Sequence, residues 1–281
     1  MKHFLDILRE NYNFNDEIDR IAKLFVSQTL YIYSFNTTWY TLEEVFEKHV
    51  LSKWKGRLSC ISMTDLKNSL HIRYSATHRP ISNSDDDILR YLEYYINVML
   101  NFTKSNRSNE YSKTEDFHML NENMLMLLDH MNHEVIEDKD NQIFLVVPKN
   151  PQGTAAAEVS SKSTGLAILQ YHHRLLKGNL DAKSKILFAI AGEYEDMLKN
   201  PPTGYKELFD KTRGLCNQLC IRHTNKQNKC NIGNLSDEEL EHWYDEIYQM
   251  LLLCILISEN IKQQRVEKAK QLLDSFNNTA N

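Results

Sequence analysis

Glycine and proline are scarce, at 8 and 5 residues in a chain of 281. Sandwiches and barrels spend many turn residues, so this shortage argues for helices. Cysteine numbers five, an odd count without a framework spacing. That excludes a disulfide-stapled secreted domain and fits reduced thiols in a cytoplasm. Long apolar runs are missing too. The longest, Met250 to Ile257, falls far short of the ~20 residues that span a bilayer. Met1 to Glu10 carries Lys2, Asp6, Arg9 and Glu10, unlike a signal peptide. Positive charge is not in excess: 33 Lys and Arg stand against 38 Asp and Glu, a net −5. This argues against broad nonspecific duplex binding but leaves room for a local basic site. The chain has no Gly-rich phosphate loop, Gly-x-Ser-x-Gly elbow or His-Glu-x-x-His helix, which sets aside P-loop and common hydrolase chemistry. The expectation is a cytoplasmic protein with no membrane span, metal or cofactor.

What is present is helical periodicity. Thr41-Leu42-Glu43-Glu44 is a capping box, followed by the apolar face Val45, Phe46, Val50, Trp54. Ser84-Asp85-Asp86-Asp87 opens a helix rich in aromatics (Tyr91, Tyr95), its acids suiting the positive end of the dipole. Thr103 to Thr114 is polar and reads as a boundary. A short helix over 121–131 follows. His133–Glu137 and Gln142–Val147, around Asp138-Lys139-Asp140-Asn141, form a hairpin pattern. Thr154 to Val159 reads as a third strand or the start of a helix. From Thr164 four helices are expected: 164–177, stopped by Gly178; one capped by Asn179 or Asp181 and ended by Pro201-Pro202; one with the stripe Tyr205, Leu208, Phe209, Thr212, Leu215, Cys216, Leu219; and one opened by the capping box Ser236–Glu239 and running to about Phe276. Short connections imply antiparallel neighbours. The fold expected is mainly α: a helical N-terminal region (1–105), a short helix plus β hairpin (115–160), and a C-terminal four-helix up-and-down bundle (161–281).

The chemistry concentrates where the third bundle helix meets the fourth: Asn217-Gln218-Leu219-Cys220-Ile221-Arg222-His223-Thr224-Asn225-Lys226-Gln227-Asn228-Lys229. RNA cleavage by 2′-hydroxyl attack needs proton transfer in both directions and positive charge on the phosphate, but no metal. His223 can move the proton and Arg222 can hold the phosphate with planar donors. Asn217 and Asn225 can orient the reacting groups, and Lys226 and Lys229 can bind the backbone. The plainer reading is a polar loop whose Arg222 caps the preceding helix.

The segments Tyr171–Lys183, Ile221–Asn225 and Trp243–Glu246 resemble the C-terminal bundle of the HEPN superfamily. These four-helix-bundle proteins are common in bacterial abortive-infection, toxin–antitoxin and CRISPR systems, and many are metal-independent ribonucleases. The resemblance covers about residues 160 to 265 and rests on architecture and loop position. It implies an RNA substrate, a homodimer that shares its site, and an antitoxin or defence-system partner, in an anti-phage effector. The family signature is an Arg and a His separated by four to six residues. Here Arg222 and His223 are adjacent, and the literal match is Arg73-Tyr74-Ser75-Ala76-Thr77-His78, an alternative catalytic pair. The rival reading is a noncatalytic interaction or regulatory subunit of a defence complex.

Three further clusters have plainer readings. Cys216, Cys220, His223 and Cys230 number the four ligands of a zinc site, but Cys216 sits on an apolar stripe, where cysteine behaves as a small hydrophobe. His172-His173-Arg174 reads as a solvated helix face, and Glu137–Asp140 as a turn.

Overall fold

A computed structural model describes residues 13–26, 32–34, 39–77, 79–105, 107–108, 111–221, 232 and 235–279. The fold is mainly α, with two small antiparallel sheets among the described residues. The chain divides into two units, Met1–Lys149 and Asn150–Asn281.

The N-terminal unit contains α1 (Phe14–Val26), β1 (Ile32–Ser34), β2 (Trp39–Tyr40), α2 (Leu42–His49), α3 (Met63–Ser69), α4 (Asp85–Lys104), β3 (Tyr111–Ser112), α5 (Glu115–His130), β4 (His133–Asp138) and β5 (Ile143–Pro148). The capping box of α2 is formed as the residues demand: Thr41 Oγ1 accepts from Glu44 N, and Glu44 accepts from Thr41 N at 2.7 Å. Ser84 caps α4. Thr114 caps α5, so this helix starts six residues earlier than its apolar pattern announces. β1 pairs with both β2 and β3, which ties the polar stretch 103–114 into the N-terminal unit. The boundary expected there lies instead between Lys149 and Asn150, and the hairpin belongs with the helices before it.

The hairpin β4–β5 pairs His133 with Pro148 through Asp138 with Ile143. A two-stranded hairpin is marginal alone. Here α4 completes it. Asn97 Oδ1 accepts from Phe144 N at 2.9 Å, and its Nδ2 donates to Phe144 O at 2.6 Å. One turn earlier, Glu93 Oε2 accepts from Val146 N at 2.9 Å. Two buried polar side chains at i and i+4 thus satisfy the backbone of β5 that β4 does not pair.

The C-terminal unit contains α6 (Pro151–Glu158), α7 (Lys162–Gln170), α8 (Leu180–Glu193), α9 (Glu195–Lys199), α10 (Lys206–Gln218), α11 (Asp237–Lys262) and α12 (Arg265–Thr279). Residues 151–158 resolve as a helix, not a third strand: Pro151 sits in the first turn and Asn150 Oδ1 caps Gly153 N at 2.9 Å. The four expected bundle helices are α7, α8, α10 and α11, and three of their bounds need correction. α7 stops at Gln170, not Lys177, because His173 starts a separate 3-10 turn, its Nδ1 accepting from Leu175 N. The second helix breaks at Tyr194 into α8 and α9. The last helix breaks at Gln263 and Gln264, the latter at φ 53, before α12 begins.

The core of this unit gathers Ile168, Tyr171, Ile190, Phe209, Cys216, Ile247, Leu251 and Ile255. Tyr205, the first residue of the expected stripe, and Trp243 are 44% and 40% exposed. Tyr205 precedes α10 as its cap residue, and the neighbouring Tyr244 takes the inward position on α11.

Candidate functional site

The junction begins with a helix end built from the backbone. Cys220 adopts φ 57. Ile221 N donates to Cys216 O at 2.9 Å and Cys220 N to Asn217 O at 3.3 Å. This is the Schellman arrangement, with Cys220 where glycine is usual and Ile221 buried beside Cys216. Leu219 N also donates to Leu215 O at 2.9 Å. The carbonyls of residues 215, 216 and 217 are therefore all met by main-chain N–H groups. Those three carbonyls need no side chain to cap them.

Asn217 lies in the last turn of α10, and its side-chain oxygen is buried without a hydrogen-bond partner. Such an acceptor costs about 1–3 kcal/mol. Arg222, His223, Asn225, Lys226 and Lys229 lie outside the described residues. So does Cys230, of the set weighed for zinc. Within that set Cys216 is buried in the core and takes part in no disulfide. Among the described residues no group of three or more His, Cys, Asp or Glu could hold a metal ion.

The alternative pair is only half described. Arg73 is exposed, and its backbone is tied down: Arg73 N donates to the Tyr91 hydroxyl at 3.0 Å, and that hydroxyl donates back to Arg73 O. Ile81 N reaches the same hydroxyl at 3.1 Å. Tyr91 thus gathers the two ends of the segment 73–81. His78 lies outside the described residues.

A second concentration of polar groups surrounds His172 and His173. His172 and His173 do not form a solvated helix face, because α7 has ended before them. His173 is 5% exposed. Tyr171 stacks on Tyr248 with ring centroids 4.1 Å apart and planes 5° from parallel. His172 stands edge-on to both rings at 5.0 Å. Over the Tyr171 ring, at 5.1 Å, lies the ammonium of Lys183, a residue only 4% exposed. Lys183 Nζ pairs with Asp245 Oδ1 at 2.7 Å and with Glu241 Oε1 at 2.8 Å. Glu241 also accepts from Gly178 N at 2.8 Å. Tyr248 Oη donates to Ile168 O at 2.9 Å and receives Asn150 Nδ2 at 3.3 Å.

The electrostatics follow from burial and these pairs. The Lys183 hydrogen bond leads in holding the Glu241 carboxyl below the usual range, and the Gly178 amide adds to it. Burial pushes the His172 imidazole down, Lys183 adds to this, and Asp245 opposes it. Burial, then the Asp245 charge, drives the Tyr171 hydroxyl well above its ordinary value. Asp245 is near enough to act electrostatically, yet the Tyr171 hydroxyl lacks a hydrogen bond of acceptable geometry. The cluster spends its cation on its own two carboxylates and clamps α8 to α11. It carries no free nucleophile. Its sequence signal was Lys183, three residues into a helix and therefore at a costly place for a cation, together with carboxylates at i and i+4 on α11.

Among the described residues no helix is long and apolar enough to cross a membrane. No family model, curated protein or solved structure matches the chain.

Proposed function

We propose that the C-terminal unit is a HEPN-like, metal-independent endoribonuclease acting as a cytoplasmic effector in bacterial anti-phage defence. His223 is the acid and base, Arg222 the phosphate clamp. Asn217 and Asn225 orient the reacting groups, and Lys226 and Lys229 hold the RNA backbone. The site is completed by pairing of two copies. The observation that supports this reading most is the self-capped end of α10. With the carbonyls of residues 215–217 already satisfied by the main chain, capping those carbonyls is not a role left to Arg222. The buried, unpartnered oxygen of Asn217 adds an acceptor in the same turn.

Cleavage of total cellular RNA by purified protein in excess EDTA tests the reading. His223→Ala should slow it ~10²–10⁴-fold, and Arg222→Lys should fail where bidentate contact is required. Strict dependence on added Mg²⁺, or full activity of the His223→Ala protein, would refute it.

A noncatalytic docking subunit is the second reading. One observation favours it: Ile261, Val266, Leu272 and Leu273 are 46–60% exposed along the end of α11 and α12, an apolar series of the kind that marks interaction surfaces. RNA cleavage lost in both variants but present in wild type would dismiss it.

A further inference from the structure

The N-terminal unit holds a pocket of about 590 Å³ whose charge opposes that of its surroundings. Residues 1–149 carry 17 Lys and Arg against 22 Asp and Glu, the whole net charge of the protein. Yet the pocket is lined by Lys53, Lys104, Arg107 and Lys139, with Glu137 as its one carboxylate. That carboxylate is taken: Lys104 Nζ meets Glu137 Oε2 at 2.7 Å and lies 4.6 Å over the Phe144 ring.

Helix ends explain only part of this. α2 and α4 both finish at the pocket, and their terminal carbonyls favour a cation nearby, which accounts for Lys104. It does not account for Lys53 or Lys139. Lys53 closes the short 3-10 turn Leu51–Lys53 that follows α2, and Lys139 stands in the hairpin turn; both are exposed, and neither has an ion-pair partner among the described residues. Of the two acids that flank Lys139, Asp140 is exposed and Asp138 is turned inward: Asp138 accepts from the backbone N–H groups of Asp140 and Asn141 at 3.1 Å and from Asn141 Nδ2 at 2.7 Å.

The walls are braced by contacts distant in sequence. Trp54 Nε1 donates to Gln142 O, Lys55 Nζ to Asp140 O at 2.8 Å, and His49 Nε2 and Tyr111 Oη lie 2.7 Å apart. Gly56 is required for the first of these. A Cβ there would sit 2.5 Å from the Trp54 ring and 2.8 Å from Ile143 Cγ1. The turn after α2 is thereby fixed to the hairpin turn, which sets Lys53 and Lys139 around one opening. Val50 and Trp54 add apolar lining, and Asn101 and Gln142 add amides.

We propose that this pocket binds a nucleoside polyphosphate. Unpaired ammonium groups at the opening suit the phosphates. A volume inside the ~300–1,000 Å³ range of small-molecule sites, with mixed apolar and amide lining, suits the nucleoside. The site is independent of the junction at residue 222.

The test is calorimetric titration of the full-length protein with ATP, inorganic tripolyphosphate and a short single-stranded RNA, at ~0.15 M salt. ATP should bind saturably and more tightly than tripolyphosphate. The double variant Lys53→Glu, Lys139→Glu should weaken it about tenfold or more, a loss of ~1.4 kcal/mol. Both side chains are exposed, and circular dichroism checks that the variant folds. Four results would overturn the proposal: no saturable ATP binding, ATP affinity unchanged in the double variant, tripolyphosphate binding as tightly as ATP, or RNA preferred over ATP.

Discussion

Replacing Lys183 by Met removes the cation at the centre of the clamp between α8 and α11 and keeps most of its volume. Removing one partner of a fully buried pair costs about 3–5 kcal/mol, because the remaining charge is stranded. Here the Glu241 and Asp245 side chains are 22% and 39% exposed, so both recover some water and the electrostatic loss falls to ~2 kcal/mol. The cation–π contact with Tyr171 adds ~1 kcal/mol. The expected loss is ~3 kcal/mol at pH 7, a fall of about 10 °C for a unit of this size. Its pH dependence has a definite sign. The folded-state pKa of Glu241 is depressed by Lys183. Its contribution is therefore complete above the unfolded value, 4.5, and disappears as pH falls through the lower folded value. The gap between wild type and Lys183→Met should be widest at neutral pH and narrow in acid toward the ~1 kcal/mol of the cation–π contact. Urea denaturation at pH 7 and at several acid pH values measures it. A loss below ~0.5 kcal/mol at pH 7, or a gap that stays constant in acid, would refute the argument.

Leu251→Ala should destabilise the C-terminal unit by ~2–5 kcal/mol, since Leu251 is fully buried in its core; denaturation with little change in midpoint would place the side chain elsewhere. Tyr171→Phe should be neutral or stabilising by ~1 kcal/mol, because the hydroxyl it removes is buried and unpartnered. A clear loss by the same assay would show that the hydroxyl is hydrogen-bonded after all.

Much of the helix placement was legible because it rests on local chemistry. Ser84, Thr41 and Ser236 announce their helices by side chains that reach only three residues ahead. The hairpin followed from alternating β-branched residues around a polar turn. What was not legible depended on long-range pairing. β1 to β3 are too short to show a period, and β1 and β3 exist because residues nearly 80 positions apart meet. The end of α7 was misplaced because Leu175 and Leu176 extend the apolar spacing, whereas His173 withdraws the backbone by capping a new turn. The Lys183 cluster was hidden because its members come from the segment after α7, from α8 and from α11. Singly, each reads as an ordinary surface charge or aromatic. The Arg222–His223 pair was conspicuous for the opposite reason: its members are adjacent in sequence.

The cover that Asn97 and Glu93 give to β5 has a consequence for which residues are free to change. An open strand edge is a template that any other extended chain can copy. α4 occupies that edge by binding main-chain atoms of Phe144 and Val146, which every non-proline residue presents alike. Exchanges among strand-forming residues along β5 leave the cover in place. An apolar exchange at position 97 or 93 leaves the strand's own sequence intact yet reopens its edge to other molecules. The protection against self-association is thus written in the helix, some 50 residues before the strand it protects.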